Sequence, residues 1–286
     1  MKALRQASRS GPGASLRASI RRHQLSVFLV GSVVLGSLVT GALMRIPSSA
    51  LILPLIALPI SYIPAVLAVL LLRADENAGD RETFRRRLTT WRLRPRWYLL
   101  GLTVVPLAYL AGVALATVWG GLFPLHPERF VLLPLFLITN LGEEIGWRGY
   151  ALPRLQQRFS PLVASLILGA FWAAFHWVAL AQNPSQAFFY VAAGSVSLIA
   201  MSVVMTWFFN HTGSVILMVL LHAMYDVVSI GVVPLADTTM PLLAFALSAA
   251  VLCLLAGTLL FIAGPELGRP CQTEGHARGP HDSGAS

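Results

Sequence analysis

Charged residues are scarce in this chain. Of its 286 residues only 12% are charged while 56% are hydrophobic, whereas about a quarter of a typical soluble domain is charged. The mean hydropathy is +0.70. This composition excludes an ordinary soluble domain and predicts a protein embedded in a lipid bilayer.

Cysteine and several common catalytic signatures are scarce or missing as well. The two cysteines differ in setting, Cys253 in an apolar run and Cys271 in a polar tail, so no disulfide framework is predicted. The chain has no HExxH helix, no GxSxG elbow, no phosphate-binding loop and no dinucleotide fingerprint. Zincin-type proteolysis and nucleotide chemistry therefore have no support in the sequence, and serine hydrolysis has weak support.

Long apolar runs are abundant, and each has the length of a transmembrane helix. Together they predict an all-α polytopic membrane domain over residues 25–264, flanked by disordered tails at 1–24 and 265–286. The 73–97 connection is rich in Arg and Trp and is predicted to lie on anionic headgroups. The eight predicted spans are 25–44, 50–72, 98–121, 131–152, 161–181, 187–209, 214–234 and 241–263.

The net charge of +9 comes from basic residues that lie mostly between the apolar runs. With the N-terminus inside, eighteen Lys and Arg residues fall on the cytoplasmic side and two, Arg45 and Arg129, on the other. This asymmetry is typical of positive-inside topology and predicts a cell-membrane protein with both termini in the cytoplasm. The basic charge is thereby explained by the lipid bilayer, and no nucleic-acid partner is predicted.

A few ionisable side chains fall inside the predicted spans, where each is unfavourable by a few kcal/mol on insertion scales. Their default interpretation is therefore functional: an active site, a proton or ion path, or a metal site. They come from three spans and are Glu143, Glu144, Arg148, His176, His222 and Asp226.

Helix geometry predicts different roles for the two adjacent glutamates. Glu144 and Arg148 are four residues apart, so they share a helix face and can form an ion pair that makes their burial tolerable. Glu143 is rotated by about 100° from Glu144 and stays available for chemistry. His222 and Asp226 are also four residues apart and lie on one face.

One carboxylate and two histidines can support two related kinds of hydrolysis. Without metal, Glu143 is the general base that deprotonates a water positioned by His176. His222 and Asp226 then stabilise the oxyanion, with Asp226 donating only when protonated or else orienting His222. With metal, Glu143, His176 and His222 form a three-ligand zinc site with an open position. The cofactor is thus either zinc or none.

The segment EEIGWRGYALPRLQQRFSPLVASLILGAFWAAFHW closely resembles the first two motifs of the CPBP family. That family comprises type II CAAX prenyl endopeptidases and bacterial CAAX-protease, bacteriocin-processing or self-immunity proteins. Glu143, Glu144 and Arg148 match its EExxxR motif. His176 matches FxxxH with Trp172 in place of the Phe, and His222 with Asp226 matches the third motif, in which eukaryotic CAAX enzymes have Asn at the second position. The motifs occur in the family's order over residues 130–228.

The resemblance implies an eight-helix intramembrane protease bundle with a cytoplasm-facing cavity. Glu143, His176, His222 and Asp226 would line the cavity, and Glu144 and Arg148 would support it. The expected function is an endopeptidase acting on a membrane-associated or lipidated protein or peptide. The alternatives are a non-enzymatic immunity or scaffold protein, or a proton-coupled transporter that uses the same buried acids and histidines.

Overall fold

The computed structural model describes residues 23–46, 58–74, 78–120, 126–182, 184–232 and 242–269, which are almost entirely helical and include no strand. A 3-10 helix at Pro127–Leu132 precedes α5, and π-helices follow α5 at Ile145–Ala151 and α9 at Val227–Val232. The α-helices are α1 (Gln24–Leu43), α2 (Leu58–Ala74), α3 (Ala78–Thr89), α4 (Pro95–Gly120), α5 (Leu133–Glu144), α6 (Leu152–Leu155), α7 (Pro161–Leu180), α8 (Ala187–Thr212), α9 (Val215–Asp226) and α10 (Leu242–Ala263).

Each of the eight predicted spans contains an apolar helix, which confirms an all-α, multi-pass membrane bundle. Two of these helices are shorter, Leu58–Ala74 and Val215–Ser229. The rest of the second and seventh predicted spans lies partly outside the described residues. Within the part of the chain that the structure describes, six helical segments are long and apolar enough to cross a membrane: Gln24–Leu43, Pro95–Val118, Pro127–Leu155, Pro161–Leu180, Ala187–Thr212 and Leu242–Ala263.

The short α9 occupies the centre of the bundle. Nine of its residues, including His222, are buried, and it packs against both α4 and α5. A helix that is apolar on every side is buried either in lipid or among other helices, and the buried residues of α9 lie against protein. The central position of α9 therefore places its two polar residues in the interior of the protein.

Capping residues define the start of α9 closely. Gly213 ends α8 with a φ of 61°, a left-handed conformation that glycine adopts without steric strain. The next residue, Ser214, accepts a hydrogen bond from the backbone N–H of Leu217 at 3.1 Å and so caps α9. Because only two residues separate the helices, α9 turns directly back into the bundle.

Small residues allow the outer helices to approach closely, as is common in membrane bundles. A Cβ atom on Gly112 of α4 would lie 2.3 Å from the Cα atom of Ser248 on α10. In the same contact, the Ser248 hydroxyl donates to the carbonyl oxygen of Tyr109 at 2.9 Å. Helix α10 also packs on α8, which packs on α7, which in turn contacts α1.

The polar connection 73–97 contains the helix α3, which packs on the end of the bundle. Phe84 is buried, close to Gly149 of the first π-helix, and the Arg87 guanidinium donates to the Gly149 carbonyl oxygen at 3.4 Å. Burial, with a contribution from the nearby Arg154, lowers the pKa of Arg87 to about 10. The predicted contact of this segment with lipid headgroups remains a prediction. Its exposed arginines include Arg81, Arg85, Arg86, Arg92, Arg94 and Arg96.

The predicted tails lie largely outside the described residues. Residues 265–269, which the sequence analysis assigned to the C-terminal tail, pack on the bundle. Leu267 is fully buried, and the Pro265 carbonyl oxygen accepts a hydrogen bond from the Leu162 backbone N–H at 3.0 Å. The packed part of the chain therefore extends to Arg269.

Candidate active site

The six ionisable residues singled out in the sequence form one cluster, although they come from separate helices. The cluster lies at the C-terminal ends of α5 and α9, facing the second half of α7. Glu143 and Glu144 end α5, Arg148 lies in the following π-helix, His176 is on α7, and His222 and Asp226 are on α9.

Glu144 and Arg148 form the predicted ion pair. The Arg148 guanidinium donates to Glu144 Oε1 at 2.7 Å, and both side chains are completely buried. The same Oε1 atom lies 3.0 Å from His222 Nδ1, a contact that the spacing pattern did not indicate. The guanidinium also lies 4.2 Å from the Trp172 ring centroid, in cation–π geometry. Glu144 therefore joins α5 to α9 as well as neutralising Arg148.

Glu143 points in a different direction and has different partners. Its Oε2 atom accepts a hydrogen bond from the Trp172 indole N–H at 2.9 Å. Its Oε1 atom accepts one from the Ser61 hydroxyl of α2 at 3.4 Å and lies 3.9 Å from His176 Nε2. The carboxylate is held from two sides, and one oxygen faces a histidine.

His176 is the most open member of the cluster, with 27% of its side chain exposed. Its Nδ1 atom lies 2.9 Å from the carbonyl oxygen of Trp172. Because a carbonyl oxygen only accepts, Nδ1 carries the proton and Nε2 of the neutral ring is left as an acceptor. The 3.9 Å between Nε2 and Glu143 Oε1 is too long for a direct hydrogen bond. One water molecule can donate to both atoms.

Asp226 lies on the other side of His222. His222 Nε2 and Asp226 Oδ2 are 3.6 Å apart, which is longer than a hydrogen bond. The direct partner of Asp226 Oδ2 is instead the side-chain amide of Asn140 on α5, at 2.8 Å. Asp226 is 14% exposed, so this end of the cluster is not completely buried.

Three contributors to the cluster were not anticipated as site residues: Asn140, Ser61 and the indole N–H of Trp172. Asn140 could have been found, because it precedes Glu143 by three residues and therefore lies on the same helix face. Ser61 is on a distant span, and no spacing in the sequence connects it to Glu143. Trp172 stood out only as a departure from the FxxxH motif.

Both π-helices directly follow site residues. The first begins at Ile145, after Glu143 and Glu144, and the second at Val227, after Asp226. π-helical turns are rare and frequently occur at functional sites, because they change the direction of side chains within a helix.

Glycines next to Glu143 allow α2 to approach the site. A Cβ atom on Gly142 would lie 2.6 Å from the carbonyl oxygen of Ser61, and one on Gly146 would lie 2.4 Å from Pro64 Cβ. The spacing of four residues places both glycines on one face. This close approach brings the Ser61 hydroxyl within reach of Glu143.

The expected zinc ligands Glu143, His176 and His222 are not arranged as a three-ligand centre. Such ligands must all lie about 2.0–2.2 Å from one point. His222 Nδ1 is hydrogen-bonded to Glu144, and Asp226 lies next to its Nε2 atom. Among the described residues no group of three or more His, Cys, Asp or Glu side chains is placed to hold a metal ion.

A multi-pass helical bundle that gathers carboxylates and histidines in its interior belongs to a recognisable class, the polytopic membrane proteins with an intramembrane polar site. Comparisons with known proteins narrow this class. The family model described as type II CAAX prenyl endopeptidase Rce1-like matches residues 125–228, which include every residue of the cluster except Ser61.

A curated relative covers more of the chain. CAAX prenyl protease 2 of Methanococcus maripaludis is 27% identical over an alignment of 232 residues, and the match covers 73% of this chain and 83% of that protein. Together the two comparisons confirm the resemblance to the CPBP family of membrane proteases that the three motifs predicted.

Proposed function

We propose that this protein is an intramembrane endopeptidase in which Glu143 and His176 activate a water molecule to hydrolyse a peptide bond. The observation that carries the proposal is the 3.9 Å separation of Glu143 Oε1 and His176 Nε2, two acceptors that can bind the same water. The resemblance to the CPBP family supports the same reaction class.

In the proposed mechanism Glu143 removes a proton from the water while its oxygen attacks the carbonyl carbon of the substrate. Trp172 and Ser61 keep the carboxylate in place, so that little reorganisation is needed. The carbonyl π electrons move to oxygen and form a tetrahedral oxyanion. Collapse of this intermediate breaks the C–N bond, and Glu143 passes its proton to the leaving amine.

The oxyanion is proposed to form on the side of the cavity lined by His222 and Asp226. Glu144 accepts from His222 Nδ1 and sets the orientation of the imidazole ring. A second proton at Nε2 would make His222 a donor, with Asp226 close enough to stabilise the cation. Glu144 and Arg148 support the site and take no part in proton transfer.

We propose a membrane-associated polypeptide as the substrate, and a prenylated C-terminal peptide as the first one to test. The matching family model and the M. maripaludis relative are both named for prenyl-protein processing. A lipid-anchored peptide can reach a cavity inside a bilayer by diffusing in the membrane plane. The cavity is proposed to open toward the cytoplasm.

The test is the variant Glu143→Gln in purified protein reconstituted in liposomes, with farnesylated and unmodified forms of one reporter peptide. Loss of the general base is expected to lower kcat by about 10²–10⁴-fold, since glutamine cannot take up the proton. Glu82→Gln, an exposed position on α3, is the matched control and is expected to cleave normally. Full cleavage by Glu143→Gln would refute the assignment.

The same assay distinguishes the two ways in which the water could be activated, by Glu143 without a metal ion or by a bound zinc ion. A metal-free site is expected to keep its activity in the presence of a strong chelator, and the purified protein is expected to contain no stoichiometric metal. Activity that is lost on chelation and restored by zinc would contradict the metal-free mechanism.

A further inference from the structure

The pairing of Asn140 with Asp226 brings an amide to the side of the cavity proposed to bind the oxyanion. The Asn140 side chain donates one N–H to Asp226 Oδ2 at 2.8 Å. Its carbonyl oxygen lies 3.3 Å from the Thr139 hydroxyl, which shares its single proton with the Phe136 carbonyl oxygen at 3.1 Å. Because a carboxylate only accepts, this pair fixes which end of the amide is the donor. A primary amide has two N–H groups, and the contact with Asp226 uses one.

An ionised Asp226 cannot stabilise an oxyanion, because it has no proton to donate and carries the same sign of charge. An Asn at position 226 could donate directly. In this chain the amide is on the neighbouring helix, and Asp226 is its acceptor. The pair therefore contains one amide, supplied by Asn140 on α5, and one carboxylate, supplied by Asp226 on α9.

The position of Asn140 on α5 suits this role. It lies three residues before Glu143, on the same face and about 4.5 Å along the helix axis. The general base and the amide are therefore carried by one rigid element. Asn140 is itself buried, so a hydrogen bond from its amide would act in a region of low dielectric constant, where it is strongest.

We propose that Asn140 is a catalytic residue, whose second amide N–H donates to the oxyanion of the tetrahedral intermediate while Asp226 holds the amide in position. This inference rests on the proposed endopeptidase function. The carbonyl oxygen gains negative charge as the water oxygen bonds to carbon, and the N–H···O contact strengthens at that moment. Asp226 is in this account a positioning residue.

The test compares Asn140→Ala with the reciprocal exchange Asn140→Asp/Asp226→Asn in reconstituted protein. Asn140→Ala is expected to lower kcat by about 10²–10³-fold with KM within about threefold of wild type, as for removal of one oxyanion donor. The exchange keeps one amide and one carboxylate in contact, so kcat is expected to return to within about tenfold of wild type. Asn210→Ala, which removes an amide that pairs with Gln156 and contacts no residue of the cluster in the hydrogen bonds described, should leave kcat unchanged.

Three results would overturn the role of Asn140. The first is an unchanged kcat in Asn140→Ala, and the second is a loss that appears in KM or in the thermal unfolding midpoint rather than in kcat. The third is a loss of kcat that the exchange variant does not recover although it is folded. Glu143→Gln serves as the reference for the reaction itself. If it cleaves like wild type, the proposed hydrolytic function fails, whatever Asn140 does.

Discussion

At the scale of single residues, two adjacent glutamates have unlike surroundings. Glu144 is shared between Arg148 and His222, while Glu143 is held by Trp172 and Ser61 and faces His176. The first arrangement neutralises charge inside an apolar bundle, and the second places a carboxylate next to a histidine. The 100° step between neighbouring helix positions is sufficient to direct the two carboxylates to different partners.

The Glu144–Arg148 pair leads to a prediction about stability. Arg148→Ala is expected to destabilise the protein by about 3–5 kcal/mol, because it leaves a buried carboxylate without its cation. Unfolding in detergent mixtures, followed by circular dichroism, measures this loss. The double variant Glu144→Gln/Arg148→Met leaves neither side chain of the pair charged and should recover most of the unfolding free energy lost in Arg148→Ala.

The matched control for Arg148→Ala is Arg85→Ala on α3. Arg85 also pairs with a glutamate on its own helix, Glu82, but both side chains are largely exposed, and exposed pairs contribute little. Its unfolding curve should overlay that of wild type. Equal destabilisation by the two alanine variants would mean that burial does not determine how much the Glu144–Arg148 pair contributes to stability.

At the scale of helices, the site depends on how closely α2 approaches α5 and the first π-helix. Gly142 and Gly146 face the backbone of α2 at distances that admit no side chain. The approach places Ser61 on Glu143 and sets one wall of the cluster. Glycines such as Gly142 and Gly146 have no reactive side chain, but they allow the two helices to come this close.

Gly146→Ala is expected to lower both stability and activity. Its Cβ atom would lie 2.4 Å from Pro64 Cβ and 2.7 Å from the Pro64 carbonyl carbon, so α2 must move away. Overpacking of this kind typically destabilises a protein by about 1–3 kcal/mol. Thermal unfolding and peptide cleavage, measured on the same preparation, test both effects.

The control for this substitution is Gly257→Ala on α10, where a Cβ atom would meet nothing within 4 Å. Alanine favours helix more than glycine does, so this variant should be at least as stable as wild type. If Gly146→Ala behaves in the same way, the close approach of α2 does not hold the site together.

At the scale of the whole molecule, charge asymmetry should determine orientation in the membrane. Eighteen Lys and Arg residues lie on the side predicted to face the cytoplasm and two on the other. A C-terminal green fluorescent protein fusion in bacteria is therefore expected to fluoresce, and a C-terminal alkaline phosphatase fusion to be inactive. A phosphatase fused after residue 123, in the connection after α4, should be active. The reverse pattern would contradict the predicted topology.

Much of the architecture was predictable because a bilayer imposes strong local rules. A spanning helix needs about 20 apolar residues, so runs such as 161–181 and 187–209 were recognised from length alone, and α7 and α8 occupy them. The second and seventh predicted spans, 50–72 and 214–234, contain the apolar helices Leu58–Ala74 and Val215–Ser229, and the rest of each span lies partly outside the described residues.

The sequence by itself determined which ionisable groups enter the bundle and which pairs share a helix face, because spacing along one helix fixes relative direction. The pairing of Glu144 with Arg148 followed from that spacing. The assignment of catalytic roles to Glu143, His176, His222 and Asp226 remains a prediction that the proposed variants test.

Only the tertiary structure decided the contacts between helices. In the folded bundle, hydrogen bonds join His222 to Glu144 and Asn140 to Asp226. Glu143 accepts hydrogen bonds from Trp172 and Ser61. These partners are up to 86 residues apart in the chain, and no periodicity encodes which faces of separate helices meet. That choice depends on the close packing of small residues and on the burial of α9, which are properties of the assembled bundle.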